Sequence, residues 1–165
     1  MEIITKKYNI YNFEELSEEV QKNLIEQEKE NIYNSYIDCC LYEEMKEKAR
    51  SILYKNFGNK ATLKNVYYSL SYCQGDGAMM EFELYYYNKF VKIHHSGFYY
   101  HSRSFTIDTY DLTEKQEEQL KQKIIAMNEE LENYGWHLIN WEPESAEAIE
   151  NLQQNKYLQD GSIFY

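Results

Sequence analysis

The chain has 165 residues and a formal net charge of −11, from 28 acidic and 17 basic residues. That length fits one compact domain needing no metal or disulfide staple, and the acidity argues against direct nucleic-acid binding, which needs clustered lysine and arginine. No apolar run approaches the roughly 20 residues of a membrane span, "MEIITKKYNIYNF" lacks a signal-peptide core, and three cysteines without a C-x-x-C pair fit a reducing cytoplasm.

Residues 3–11, "IITKKYNIY", read as a short edge strand. A helix follows in "LSEEVQKNLIEQEKENI", with Ser17 as N-cap, Glu18 and Glu19 at the positive helix end, and Val20, Leu24 and Ile32 on the apolar stripe. A second helical face runs through Tyr36, Cys40, Met45, Ala49, Ile52 and Leu53 and stops before Gly58-Asn59.

From about residue 64 the period changes to two. Val66, Tyr68, Leu70 and Tyr72 alternate, as do Met80, Phe82 and Leu84, which predicts a hairpin. Placing both sets on one face sets Tyr72 opposite Met80 and leaves Gly75-Asp76-Gly77 as a three-residue loop. Gly77 then takes the left-handed position that ends such a loop. Gly75 is not required by that turn and marks a close approach by something else.

A turn at Asn88-Lys89 leads into "FVKIHHSGFYYHSRSFTIDTY", a second hairpin around Ser96-Gly97. Val91, Ile93, Phe105 and Ile107 form its buried face, so an odd loop is expected, with His95 and His101 together on the core side. Asp111 or Thr113 caps a long helix on which Leu120, Ile124, Met127, Leu131, Tyr134, Leu138 and Trp141 recur, ended by Pro143. A short helix in "ESAEAIENLQQ" and a last strand or hairpin in "NKYLQDGSIFY" complete the chain. The fold class is α+β: one domain, with an antiparallel sheet of three to five strands covered on one face by two N-terminal helices and the long C-terminal helix.

Chemistry is sparse. Two histidines with Glu81 or Asp76 fall short of a zinc ligand set, so no metal or cofactor is expected. Cys73 lies off the core face without the positive potential that activates a thiol. Walker, Rossmann, nucleophile-elbow, H-E-x-x-H and EF-hand patterns are missing from the sequence, and an enzyme is not expected. The 18 tyrosines stand out: a ring with a wet hydroxyl suits a protein-binding surface, although an AT-rich genome gives the same excess.

The stretches "YNFEELSEEVQKNLIEQ", "YSLSYCQGDGAMMEF", "KIHHSGFYYHSRSF" and "NKYLQDGSIFY" resemble, in this order, a family of small bacteriophage and prophage proteins, some described as antitoxin-like. The Q-G-D-G-A turn and the H-S-G-x-Y-x-H turn are its most specific parts. Met79-Met80 and the doubled His94-His95 depart from its pattern. The resemblance implies a mobile-element protein and no particular reaction.

Two functional readings compete. In the first, the chain is an anti-CRISPR- or antitoxin-type inhibitor in the host bacterial cytoplasm. Carboxylates of the first helix (Glu14, Glu15, Glu18, Glu19) or the long helix (Glu114, Glu117, Glu118) occlude the basic site of a host nuclease or CRISPR-type effector. In the second, Gln74, Gly75, Asp76, Gly77, His95, Tyr100 and His101 converge on a small ligand or nucleotide, with the Gly75 and Gly77 amides meeting an anion. A phage structural component is a third reading supported only by origin.

Overall fold

The computed structural model describes residues 6–164. Helices α1 (Glu18–Cys39) and α2 (Leu41–Phe57) precede strands β1 (Ala61–Ser69), β2 (Gly77–Tyr86), β3 (Lys89–His95) and β4 (Phe105–Asp108); α3 (Glu114–Ile139) and α4 (Ser145–Leu152) follow. The strands form one antiparallel sheet in the order β1-β2-β3-β4, and the class is α+β. The described residues group into two compact units, one up to Cys39 and again from Glu142, the other from Cys40 to Trp141.

The larger unit follows from the apolar periodicities. α2 buries Leu41, Met45, Ala49, Ile52 and Leu53, and α3 buries Leu120, Ile124, Ile125, Met127 and Leu131. α2 packs on β1, α3 on β2, and the two helices on each other, against the even-numbered Phe82 and Leu84 and the odd-numbered Val91 and Ile93. Thr113 caps α3 as expected, in a reciprocal box with Gln116. Gly135 gives α3 its close approach: a Cβ there would meet Leu70 Cδ1 at 2.6 Å and Met45 Cε at 3.0 Å.

In the smaller unit α1 packs on α4, around Phe13, Leu16, Leu152 and Tyr157. Tyr157 is fully buried and its hydroxyl donates to the Leu152 carbonyl at 2.7 Å. Two backbone hydrogen bonds tie Tyr157 to Tyr11. The edge strand expected over 3–11 is therefore a single bridge at Tyr11, with residues 3–5 outside the described residues. The tail forms a small hairpin, with Leu158 N–H on Ser162 O and a Tyr157–Ile163 bridge.

Two turns differ from expectation. The β2–β3 turn is Tyr87-Asn88, one residue earlier than predicted, with φ of 50° and 60°. The first hairpin pairs Val66 with Met80 and Ser69 with Gly77, so the same faces meet but β1 ends sooner. Its loop is residues 70–76, and Gly77 opens β2 instead of closing a tight turn.

Candidate functional site

The Asp76 carboxylate explains why the first loop is long. It accepts from Ser69 Oγ at 2.8 Å, Ser71 N at 2.6 Å, Ser71 Oγ at 3.1 Å and Cys73 N at 2.7 Å, which curls 69–76 around one side chain in place of cross-strand pairing. Tyr72, left-handed at φ 60°, sets its ring 4.7 Å from Trp136 and donates its hydroxyl to Asn140 Oδ1 at 2.8 Å. Gln74 and Cys73 face solvent.

The second loop, residues 96–104, lies against the first. Tyr100 N–H donates to the Gly75 carbonyl at 3.3 Å. A Cβ at Gly75 would sit 2.5 Å from Cδ1 of Tyr99, and one at Gly77 would sit 2.5 Å from Tyr100 O and 2.9 Å from His101 Cα. The close approach that Gly75 and Gly77 permit is thus made by this chain's own second loop.

His95 and His101 do not share a core face. His95 pairs with Phe105 at the end of β3, is half-buried, and has Nε2 3.1 Å from Tyr99 O. Its ring stacks on Tyr67 at 4.9 Å and lies 5.2 Å from Tyr100, and Tyr67 and Tyr100 are nearly parallel at 6.2 Å. His101 falls in the loop and is exposed, 5.5 Å from the Tyr99 ring; β4 begins four residues later than the short loop around Ser96-Gly97 requires. The odd-loop parity itself holds, and His94 on the opposite face meets Asp108 at 3.0 Å.

Asn128 completes the arrangement. Among the described residues it is the one buried polar residue, 0% exposed; its Oδ1 accepts from Met80 N–H and its Nδ2 donates to Ser102 O, both at 3.0 Å. β2–β3 pairing stops at Phe82–Ile93, so Asn128 takes the Met80 N–H left beyond that point and ties the second loop to α3. Sequence reading passed over it, although one polar residue four after Ile124 and three before Leu131, in an apolar stripe, is the signal of a buried hydrogen-bonding role. Nothing in the sequence distinguishes Tyr99 and Tyr67 from the other tyrosines.

Partial burial raises the Asp76 pKa, but hydrogen bonds from Cys73, Ser69 and Ser71 outweigh it and hold the carboxyl below its usual range. A lowered folded pKa contributes stability that is complete above the unfolded value of about 4 and lost as pH falls through the folded value. Acidification below about pH 4 is therefore expected to lower the protection of the Ser71 and Cys73 amides relative to their intrinsic exchange rates at the same pH. Asp76→Asn should show fast exchange there at neutral pH and lose the acid step; an unchanged exchange rate would refute this role.

Among the described residues, no three His, Cys, Asp or Glu side chains are grouped to hold a metal, and no helix is long and apolar enough to cross a membrane. The three cysteines are free and exposed. The seven candidate glutamates are all exposed. No protein-family model, curated protein or solved structure matches the chain.

Proposed function

We propose that the chain is a protein-binding inhibitor whose acidic helix starts engage a basic surface on another protein. One observation carries this. The ion pairs of the described residues use Glu43, Glu83, Glu130 and Asp108, and none of Glu14, Glu15, Glu18, Glu19, Glu114, Glu117 or Glu118. Three of the seven accept hydrogen bonds from uncharged groups: Glu15 from Asn12, Glu14 from Gln153 and Glu118 from Gln122. Their charge stays unneutralised.

Helix dipoles stabilise acids at these positions, which accounts for each glutamate singly; a net −11 chain with such clusters exposed is also suited to steering a basic partner. Strand addition is not the favoured mode of binding. β1 carries a register shift at the salt-bridged Lys64 and β4 is only four residues long, both features that blunt a sheet edge. The phage resemblance supports a host nuclease or CRISPR-type effector as partner, inhibited in the bacterial cytoplasm by occlusion of its nucleic-acid site.

A second reading, ligand binding at the two loops, has one observation in its favour: the loops do meet, through Gly75 and Tyr100. Against it, the surfaces of Gly75 and Gly77 are covered by Tyr99 and the Tyr100–His101 backbone.

The test of the first reading is charge reversal. Glu114→Lys, Glu117→Lys and Glu118→Lys together are expected to slow association with a basic partner on the order of tenfold or more, an effect that shrinks in high salt. An unchanged, salt-insensitive association rate would rule out this helix start as the contact.

A further inference from the structure

We infer that the chain carries a nucleoside-phosphate site at the β2–β3 turn, built from residues outside both loops above and independent of the protein-binding reading. A cavity of about 450 Å³ opens there between the turn and the residues that follow β4, within the range of small-ligand sites.

Three separate observations meet in it. Thr109 lines the cavity, and among the described residues its Oγ1 is the one buried side-chain polar atom without a hydrogen-bond partner; such atoms call for a specific explanation. Asn88 lines it as well and, with Tyr87, holds a left-handed conformation. A two-residue turn of this kind prefers Asn-Gly, and a tyrosine there marks backbone strain of the sort that collects at binding sites. Tyr110, 98% exposed, and Phe90, with its ring 5.5 Å from Tyr85, supply aromatic faces at the same cavity.

The charges select the ligand. Glu83 is shared between Lys64 at 2.9 Å and Lys92 at 3.7 Å, so the contact to Lys92 is the longer and weaker of the two. Lys89 donates to the neutral carbonyl of Asp111. Two carboxylates line the cavity as well: Asp108, which contacts His94 Nε2 at 3.0 Å, and Asp111, which can accept from a ribose hydroxyl or a base amino group. Aromatic faces for a base, two ammonium groups for phosphate and one carboxylate for a hydroxyl or amine together match a nucleotide better than a bare anion.

The test uses the purified chain and three probes: ATP, adenosine and inorganic triphosphate, each titrated by calorimetry and by amide shifts. ATP is expected to saturate with shifts confined to residues 88–92 and 108–111. Tyr110→Ala, at a side chain too exposed to affect folding, should weaken ATP and adenosine alike by about fivefold or more. Lys92→Gln should weaken ATP and leave adenosine unchanged. Absence of saturable ATP binding at millimolar concentration would overturn the site, as would triphosphate binding as tightly as ATP with Tyr110→Ala without effect.

Discussion

Asn128→Ala is expected to destabilise the protein by about 2–4 kcal/mol, since it strands a buried N–H and removes the donor to a loop carbonyl, and to lower the melting temperature by about 5–15 °C. The substitution orphans Met80 N–H inside a core where Met80 is itself fully buried, and it releases Ser102 O. Asn128→Leu refills the volume without restoring either hydrogen bond, so it should remain destabilised. Amide exchange at Met80 and in the 96–104 loop should accelerate before global unfolding. A Leu variant as stable as the native chain would mean that these two bonds contribute nothing.

Gly77→Ala has the next largest expected effect. Its Cβ would meet backbone atoms of Tyr100 and His101 at 2.5–3.0 Å, at a φ of +155° where L side chains are strained. Overpacking and backbone strain together give about 2–4 kcal/mol. Gly75→Ala is the internal comparison. The atoms in its way belong to the Tyr99 ring, a side chain 56% exposed rather than backbone, so it should cost about 1 kcal/mol. Equilibrium denaturation of the two variants reads the order directly. A Gly75→Ala loss equal to that of Gly77→Ala would contradict the packing of the second loop on the first.

The helices are legible because capping chemistry is local: Thr113 with Gln116, Gly58 after Phe57, and the apolar steps of four and three between them. The hairpins are only half legible. Alternation fixes which face a residue joins, and on that count Val66, Met80, Phe82, Val91 and Ile93 are read correctly. It is blind to a slip by an even number of residues. Val66 and not Tyr72 opposes Met80, a six-residue difference that keeps Val66, Met80 and Phe82 on one face but leaves Tyr72, expected there too, outside the strand and exposed. The cause is the four hydrogen bonds to Asp76, which pull 70–76 out of the ladder. His101 is misplaced for the same kind of reason, being in a nine-residue loop where a short turn is the simplest reading. The two loops meet through Tyr100 N–H and the Gly75 carbonyl, and what Gly75 and Gly77 accommodate is the chain's own second loop.

Whether the exposed carboxylates carry the function is tested by one comparison. The tagged chain, its Glu114→Lys/Glu117→Lys/Glu118→Lys variant and His101→Ala would be used as baits in a bacterial lysate at low and high salt, with mass spectrometry of what each retains. One nuclease or effector complex is expected to be held at low salt by the native chain and by His101→Ala, released by salt, and lost by the triple variant. Retention by the triple variant, with loss on a folded His101→Ala, would contradict it and move the function to the paired loops.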